Sequence, residues 1–181
     1  MYRKHINQGL SLSREAENDV AGYSVLRKGC LLLLCFALML AQCSGDRPMK
    51  LGVTDGQLAP CPSSPNCVSS QSNDKRHAIE PFRYQTALGE ARERLLAILK
   101  GMPRTKVIAV KDDYVHAEFR SRLFGFVDDV EFSFDGDHQT IHLRSASRTG
   151  GYDFGVNRKR VEGIRAQFSD MEKSSSLRRS R

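Results

Sequence analysis

From Asp129 to Phe134 polar and apolar residues alternate, with Val130, Phe132 and Phe134 set against Asp129, Glu131 and Ser133. This is the period of a strand with one buried face. The same period continues through Ile141, Leu143, Ser145 and Ser147 after Gly136-Asp137, a dipeptide suited to a type II′ hairpin turn because glycine tolerates positive φ. That register sets Phe132 opposite Ile141 and Val130 opposite Leu143 on the inner face. On the outer face it sets Glu131 opposite His142 and Asp129 opposite Arg144. Lys106–Lys111 and Tyr114–Arg120 read as a second hairpin over Asp112-Asp113, with Ile108 and Val110 facing inward beside Val115, Ala117 and Phe119. The connection SRLFGF is apolar for a loop. It reads either as a bulged strand end or as an exposed lip of Leu123, Phe124 and Phe126.

Helical spacing appears twice. Leu88, Ala91, Leu95 and Ile98 recur at three and four across Gln85–Lys100, and Gly101 and Pro103 end the pattern. After the Gly150-Gly151 turn, Asp153 suits an N-cap, and Phe154, Val161, Ile164 and Phe168 form one stripe. Asn157 falls on the same stripe, so its amide needs buried partners, and the end of the Ser145–Arg148 strand is the nearest supply. His77–Tyr84 reads as a short edge strand, where Pro81 is tolerated. The resulting expectation is an α+β fold: a four-stranded antiparallel meander with two helices packed on one face and the other face polar and solvated.

The ends of the chain carry a different pattern. Arg27-Lys28 precede an apolar run from Gly29 to Ala41, which ends in LAQC with Cys43 last. A basic start, a short apolar stretch and a terminal cysteine resemble a bacterial lipoprotein signal over 25–43, with Cys43 the lipidated residue and an uncleaved anchor as the alternative. The run is shorter than the ~20 residues of a spanning helix, although Gln42 replaces the small residue usual before that cysteine. Residues 1–24 read as an extension ahead of a start at Val25, 44–57 as a tether, 58–170 as one domain, and 171–181 as a disordered basic tail. This organisation places the domain at a membrane of the bacterial cell envelope, facing the periplasm. Ser44 lacks the aspartate of inner-membrane retention, which favours the outer membrane.

Charge and chemistry then narrow the function. The net charge is +7 with 8% aromatics, and no interleaving of aromatic and basic residues marks a nucleic-acid groove. Cys61 and Cys67 remain as an even pair in an exported domain, which favours a disulfide over a zinc pair. Ser145, Ser147, Arg148, Asn157, Arg158 and Arg160 gather where strand, glycine turn and helix start meet. Such a set suits an anionic group: a lipid headgroup, a cell-wall fragment or a partner's carboxylate. Asp128, Asp129, Glu131 and Arg144 read as an ion-pair network rather than a metal site. No cofactor is implied. A serine hydrolase is disfavoured because His142 and the serines point to opposite faces and no G-x-S-x-G elbow exists. The expectation is a non-catalytic binding module, with an enzyme of unfamiliar type at the same pocket as the alternative.

Two stretches carry a family resemblance. DDVEF followed by IHLRSASRTGGYDFGVNRKRVEGIR, with LAPCPSSPNCVSS near the start, resembles the domain of unknown function 1499 family over about 58–168. The resemblance marks which residues matter without assigning them an activity.

Overall fold

The computed structural model describes residues 50–179. The described residues belong to one compact unit, Ser44–Arg181. The signal with Cys43, the extension before it and the first six residues of the tether lie outside the described residues.

The meander is present as β5 (Thr105–Val110), β6 (Tyr114–Arg120), β7 (Val127–Asp135) and β8 (Thr140–Ser147), all antiparallel. The sheet is larger than four strands. β3 (Cys67–Ser69) and β4 (Phe82–Arg83) both pair with the free edge of β8, giving six strands. Ser70 spans the gap between them: its amide donates to Leu143 O and its hydroxyl accepts from Leu143 N, both at 2.9 Å. A bare β8 edge would expose unpaired amides, and the two short strands cover it. A further pair, β1 (Val53–Thr54) and β2 (Gln57–Leu58), folds as a small separate ladder within the expected tether.

Register differs from the expected one by two residues. Phe132 pairs with Leu143, Glu131 with Arg144 and Asp129 with Ala146, and four residues, 136–139, turn the hairpin. A shift of two keeps every side chain on its face, so the alternation could not distinguish the two registers. The longer turn is held by Asp135, whose carboxylate accepts from His138 N at 3.1 Å and lies 2.8 Å from the His138 ring. In β5 a bulge between Val107 and Ala109 breaks the phase. Val107, not Ile108, therefore packs on the core, and Val110 is exposed.

Helix α1 (Leu88–Gly101) buries Ala91, Leu95, Leu96, Ile98 and Leu99. Helix α2 (Val156–Arg179) buries Val161, Ile164 and Phe168. Both contribute to one core with Val115, Ala117, Phe119, Val130, Phe132, Phe134, Ile141 and Leu143 from the sheet's inner face. Phe82 joins them, with ring centroids 6.0 Å from Phe132 and 5.8 Å from Phe168. Instead of dissolving into a tail at Lys173, α2 continues to Arg179. Ser174, Ser175 and Ser176 turn their hydroxyls back onto Asp170, Glu172 and Lys173 carbonyls, and no glycine or proline interrupts the turn.

The sheet's other face is polar, as expected, but it is not solvated. Tyr114, His116, Glu118, Asp129, Glu131 and Arg144 are all buried. Part of the cover is the chain before β1, whose Gly52 N donates to Glu131 Oε1 at 2.7 Å.

Candidate functional site

The inner-face corner assembles four of the six residues expected there. Asn157 is fully buried in the first turn of α2. Its Oδ1 accepts from Ser145 Oγ at 2.5 Å and from Arg160 Nη1 at 2.7 Å. Its Nδ2 donates to Asn66 O, Ser147 Oγ and Asp153 Oδ2 at 2.9–3.1 Å. Every donor and acceptor of the amide is used. Asp153 takes the capping role, with Oδ1 accepting from Gly155 N and Oδ2 from Asn157 N, both at 2.9 Å. Arg160 reaches Asp128 Oδ2 at 2.5 Å and lies 4.7 Å over the Phe119 ring. Asn66 was missed at sequence level. It follows the PSSP turn, and its Nδ2 donates to Gly150 O at 2.6 Å, tying the disulfide loop to the glycine turn.

Arg148 and Arg158 do not join this corner. The one-residue alternation after Ser147 turns Arg148 to the opposite face. Arg158 lies over the surface and donates to Arg76 O at 3.2 Å. Replacing Asn157 with alanine leaves several buried groups unpaired and should lower stability by ~1–3 kcal/mol. Arg158→Ala should change it by less than ~0.5 kcal/mol. Urea unfolding of the two variants checks both values.

The expected ion-pair network is split between faces. Asp128 belongs to the inner corner through Arg160, while Asp129, Glu131 and Arg144 lie on the outer face. There Arg148 donates to Asp129 through Nε at 2.8 Å and Nη2 at 2.7 Å, and to Glu118 Oε1 at 2.5 Å. His116 Nε2 lies 2.8 Å from Asp129 Oδ1. Glu131 accepts from Tyr114 Oη at 2.7 Å and from Arg144 Nη1 at 3.1 Å. Burial opposes the Asp129 charge, but the hydrogen bonds from Arg148 and His116 outweigh it and hold the carboxyl below its ordinary value. Burial and the neighbouring Glu131 charge push the Tyr114 phenol well above its own. The Arg148 guanidinium, bonded to Asp129 and Glu118, is held firmly charged. His116 and Glu118 alternate with the inward-facing Val115, Ala117 and Phe119, which gives their face but not what covers it.

The same end of the sheet exposes an apolar edge. β6, β7 and β8 are adjacent strands, so the β6–β7 connection at 121–126 and the β8–α2 connection at 148–155 leave the sheet side by side. Arg148 N donates to Val127 O where they part, at 3.1 Å. The lip expected from Leu123, Phe124 and Phe126 is exposed in full, with Leu123 80% and Phe124 63% accessible. Phe154 was expected on the buried stripe and is instead 80% exposed, ahead of the helix, at φ 54°. A positive φ in a bulky residue is strained backbone, and here it turns the ring outward against Tyr152, with centroids 4.9 Å apart. Glycines on both sides, Gly150 at φ 82° and Gly155 at φ 74°, make the reversal feasible. In sequence the only trace was an aromatic inserted between Asp153 and Gly155.

Cys61 and Cys67 form a disulfide with Cα atoms 5.7 Å apart, within the ordinary range. Among the described residues no cluster of three or more His, Cys, Asp or Glu side chains offers a metal site, and no helix is long and apolar enough to cross a membrane.

These features define a class: an α+β domain whose one-sided core is closed by a saturated strand–turn–helix joint, with a buried charged layer behind it. A family model described as "Protein of unknown function (DUF1499)" matches residues 57–168, more than half of the chain, so the chain belongs to that family. No curated protein and no solved structure matches it.

Proposed function

We propose that the protein is a lipoprotein of the bacterial envelope, anchored through Cys43, whose domain is a non-catalytic module that docks on anionic lipid headgroups. The observation that carries this reading is the apolar edge. Of the ten large hydrophobic residues exposed among the described residues, Leu123, Phe124, Phe126, Tyr152 and Phe154 lie in two adjacent loops, and Val156 opens the helix behind them. A cluster of this kind on an otherwise polar surface marks an interaction site. Its rim is basic. Arg120 precedes one loop and Arg122 lies within it, Lys159 follows the other, and Arg104 sits beside Arg120, whose amide donates to the Arg104 carbonyl; all four are exposed. The nearby acids are engaged inside the protein: Asp128 by Arg160, Asp129 and Glu118 by Arg148, Asp153 by the helix start. Exposed aromatics with free cations around them suit the interface of an anionic bilayer.

On this reading Ser145, Ser147, Asn157 and Arg160 act as the joint that holds the 148–155 loop, and the rim cations meet the headgroups. The enzymatic alternative has less support, since Ser145 Oγ donates to an amide oxygen rather than to a base. Sedimentation of the Ser44–Arg181 unit with phosphatidylglycerol or phosphatidylcholine vesicles tests the docking. Binding should be confined to the anionic vesicles and weaken with added salt. Equal binding to both, or to neither, contradicts it. Loss of lipid labelling in the full chain on Cys43→Ala tests the anchor.

A further inference from the structure

A second feature, remote in chemistry from the aromatic edge, lies beside the disulfide loop. A cavity of about 650 Å³ is lined by the loop's Pro60, Pro62 and Cys61 on one side and by Ser69, Asn73, Asp74, Arg76 and His77 on the other. This is the size of ordinary small-molecule sites. His77 is 3% exposed, and its Nδ1 is 2.9 Å from Cys67 O. A carbonyl oxygen only accepts, so Nδ1 carries the hydrogen and the ring orientation is set by β3. The opposite ring edge turns toward Asp74, another lining residue. Nε2 is 4.0 Å from Asp74 Oδ2, beyond hydrogen-bond reach, and has no protein partner although it is buried. Buried polar atoms of this kind are rare and need an explanation.

We propose that this cavity is a binding site for a neutral, hydroxyl-rich ligand of the saccharide class, with His77 Nε2 accepting from a ligand hydroxyl. The charges argue for neutrality. Asp74 accepts from Arg76 through Nε and Nη2 at 2.8–3.3 Å, and the Arg76 bond holds its carboxyl down to about 2. The two charges close on each other, so neither a phosphate nor a metal cation meets an uncompensated opposite charge. What remains is polar and uncharged, the Asn73 amide, the Ser63 and Ser72 hydroxyls and the imidazole acceptor among it, facing proline rings that offer an apolar wall. Hydroxyl groups on a compact apolar ring framework match that division. The proposal is independent of membrane docking, and either can fail alone.

The test uses full-length protein labelled with ¹⁵N-histidine, in a zwitterionic detergent that carries no sugar headgroup. The probes are free glucose, galactose and N-acetylglucosamine, the β-1,4-linked disaccharide chitobiose, inorganic phosphate and Zn²⁺. The chain has five histidines, and at least one sugar at millimolar concentration should shift the Nε2 resonance of His77 while leaving the other four in place. A response to chitobiose alone identifies a glycan chain as the source, and a response to monosaccharides identifies free sugar. His77→Asn keeps a donor for Cys67 O, so the fold persists, and deletes the Nε2 position, so sugar binding measured by calorimetry should fall at least tenfold. No response to any sugar, a response to phosphate or Zn²⁺ instead, or undiminished binding by folded His77→Asn overturns the proposal.

Discussion

Replacing Arg148 with alanine should remove about 3–5 kcal/mol of stability, a large share of the ~5–15 kcal/mol that holds such a domain. The reason is what the substitution leaves behind. Asp129 is fully buried and Glu118 nearly so, and Arg148 is the guanidinium bonded to both. Without it the fully buried Asp129 carboxylate loses two of its three side-chain hydrogen bonds and keeps the one with His116. The sign of the pH dependence separates this cause from simple loss of packing. Asp129 titrates lower in the folded protein than in the unfolded chain. Its contribution is therefore complete above the unfolded value, near pH 4, and is lost as pH falls through the lower folded value. In Arg148→Ala the Arg148 bonds are gone, only the His116 bond still lowers the Asp129 pKa, and burial pushes it up against weaker opposition. The stability gap between wild type and variant should then narrow from pH 7 to pH 3. Urea unfolding at both pH values measures it, and a gap that stays constant points to packing alone.

The second large effect concerns vesicle binding. Phe124→Ser with Phe154→Ser removes two rings that touch little of the core, so unfolding should move by less than ~0.5 kcal/mol. A fully buried phenylalanine is worth ~1.5–3 kcal/mol of transfer free energy, and partial insertion about half that. Together the two rings should contribute about 1.5–3 kcal/mol, a loss on the order of 10–150-fold in affinity for phosphatidylglycerol vesicles. Arg122→Ala should act differently, lowering affinity several-fold at low salt and less at high salt. Retained affinity in the double serine variant removes the apolar edge from the account.

How much of this was legible in the chain follows from what each pattern encodes. Alternation in β7 and β8 specified which side chains share a face, and Val130, Phe132, Ile141 and Leu143 are all in the core. It could not report register, because a two-residue shift conserves faces. It also could not report cover, so the polar layer around Asp129 and Glu131 looked solvated while it is buried. Asn157 was readable because a lone amide on an apolar helical stripe demands partners, and it has five. Arg148 was misplaced for a simple reason: proximity in sequence to Ser147 says nothing when successive residues face opposite ways. The extra strands β3 and β4 are two or three residues long, too short for any period, and only the unpaired edge of β8 explains them. Phe154 fits the helical spacing by number, but the glycines around it permit a positive φ that places it before the helix.

The most direct measurement exploits the absence of tryptophan from the chain. Phe124→Trp puts a single indole on the apolar edge, and Val110→Trp puts one at the opposite end of the sheet, where Val110 is 48% exposed. With phosphatidylglycerol vesicles, emission from position 124 should shift to the blue and be quenched by lipids brominated on their acyl chains, while emission from position 110 stays unchanged. Blue shift and quenching at 110, or silence at 124 in a sample that sediments with the vesicles, would contradict docking through this edge.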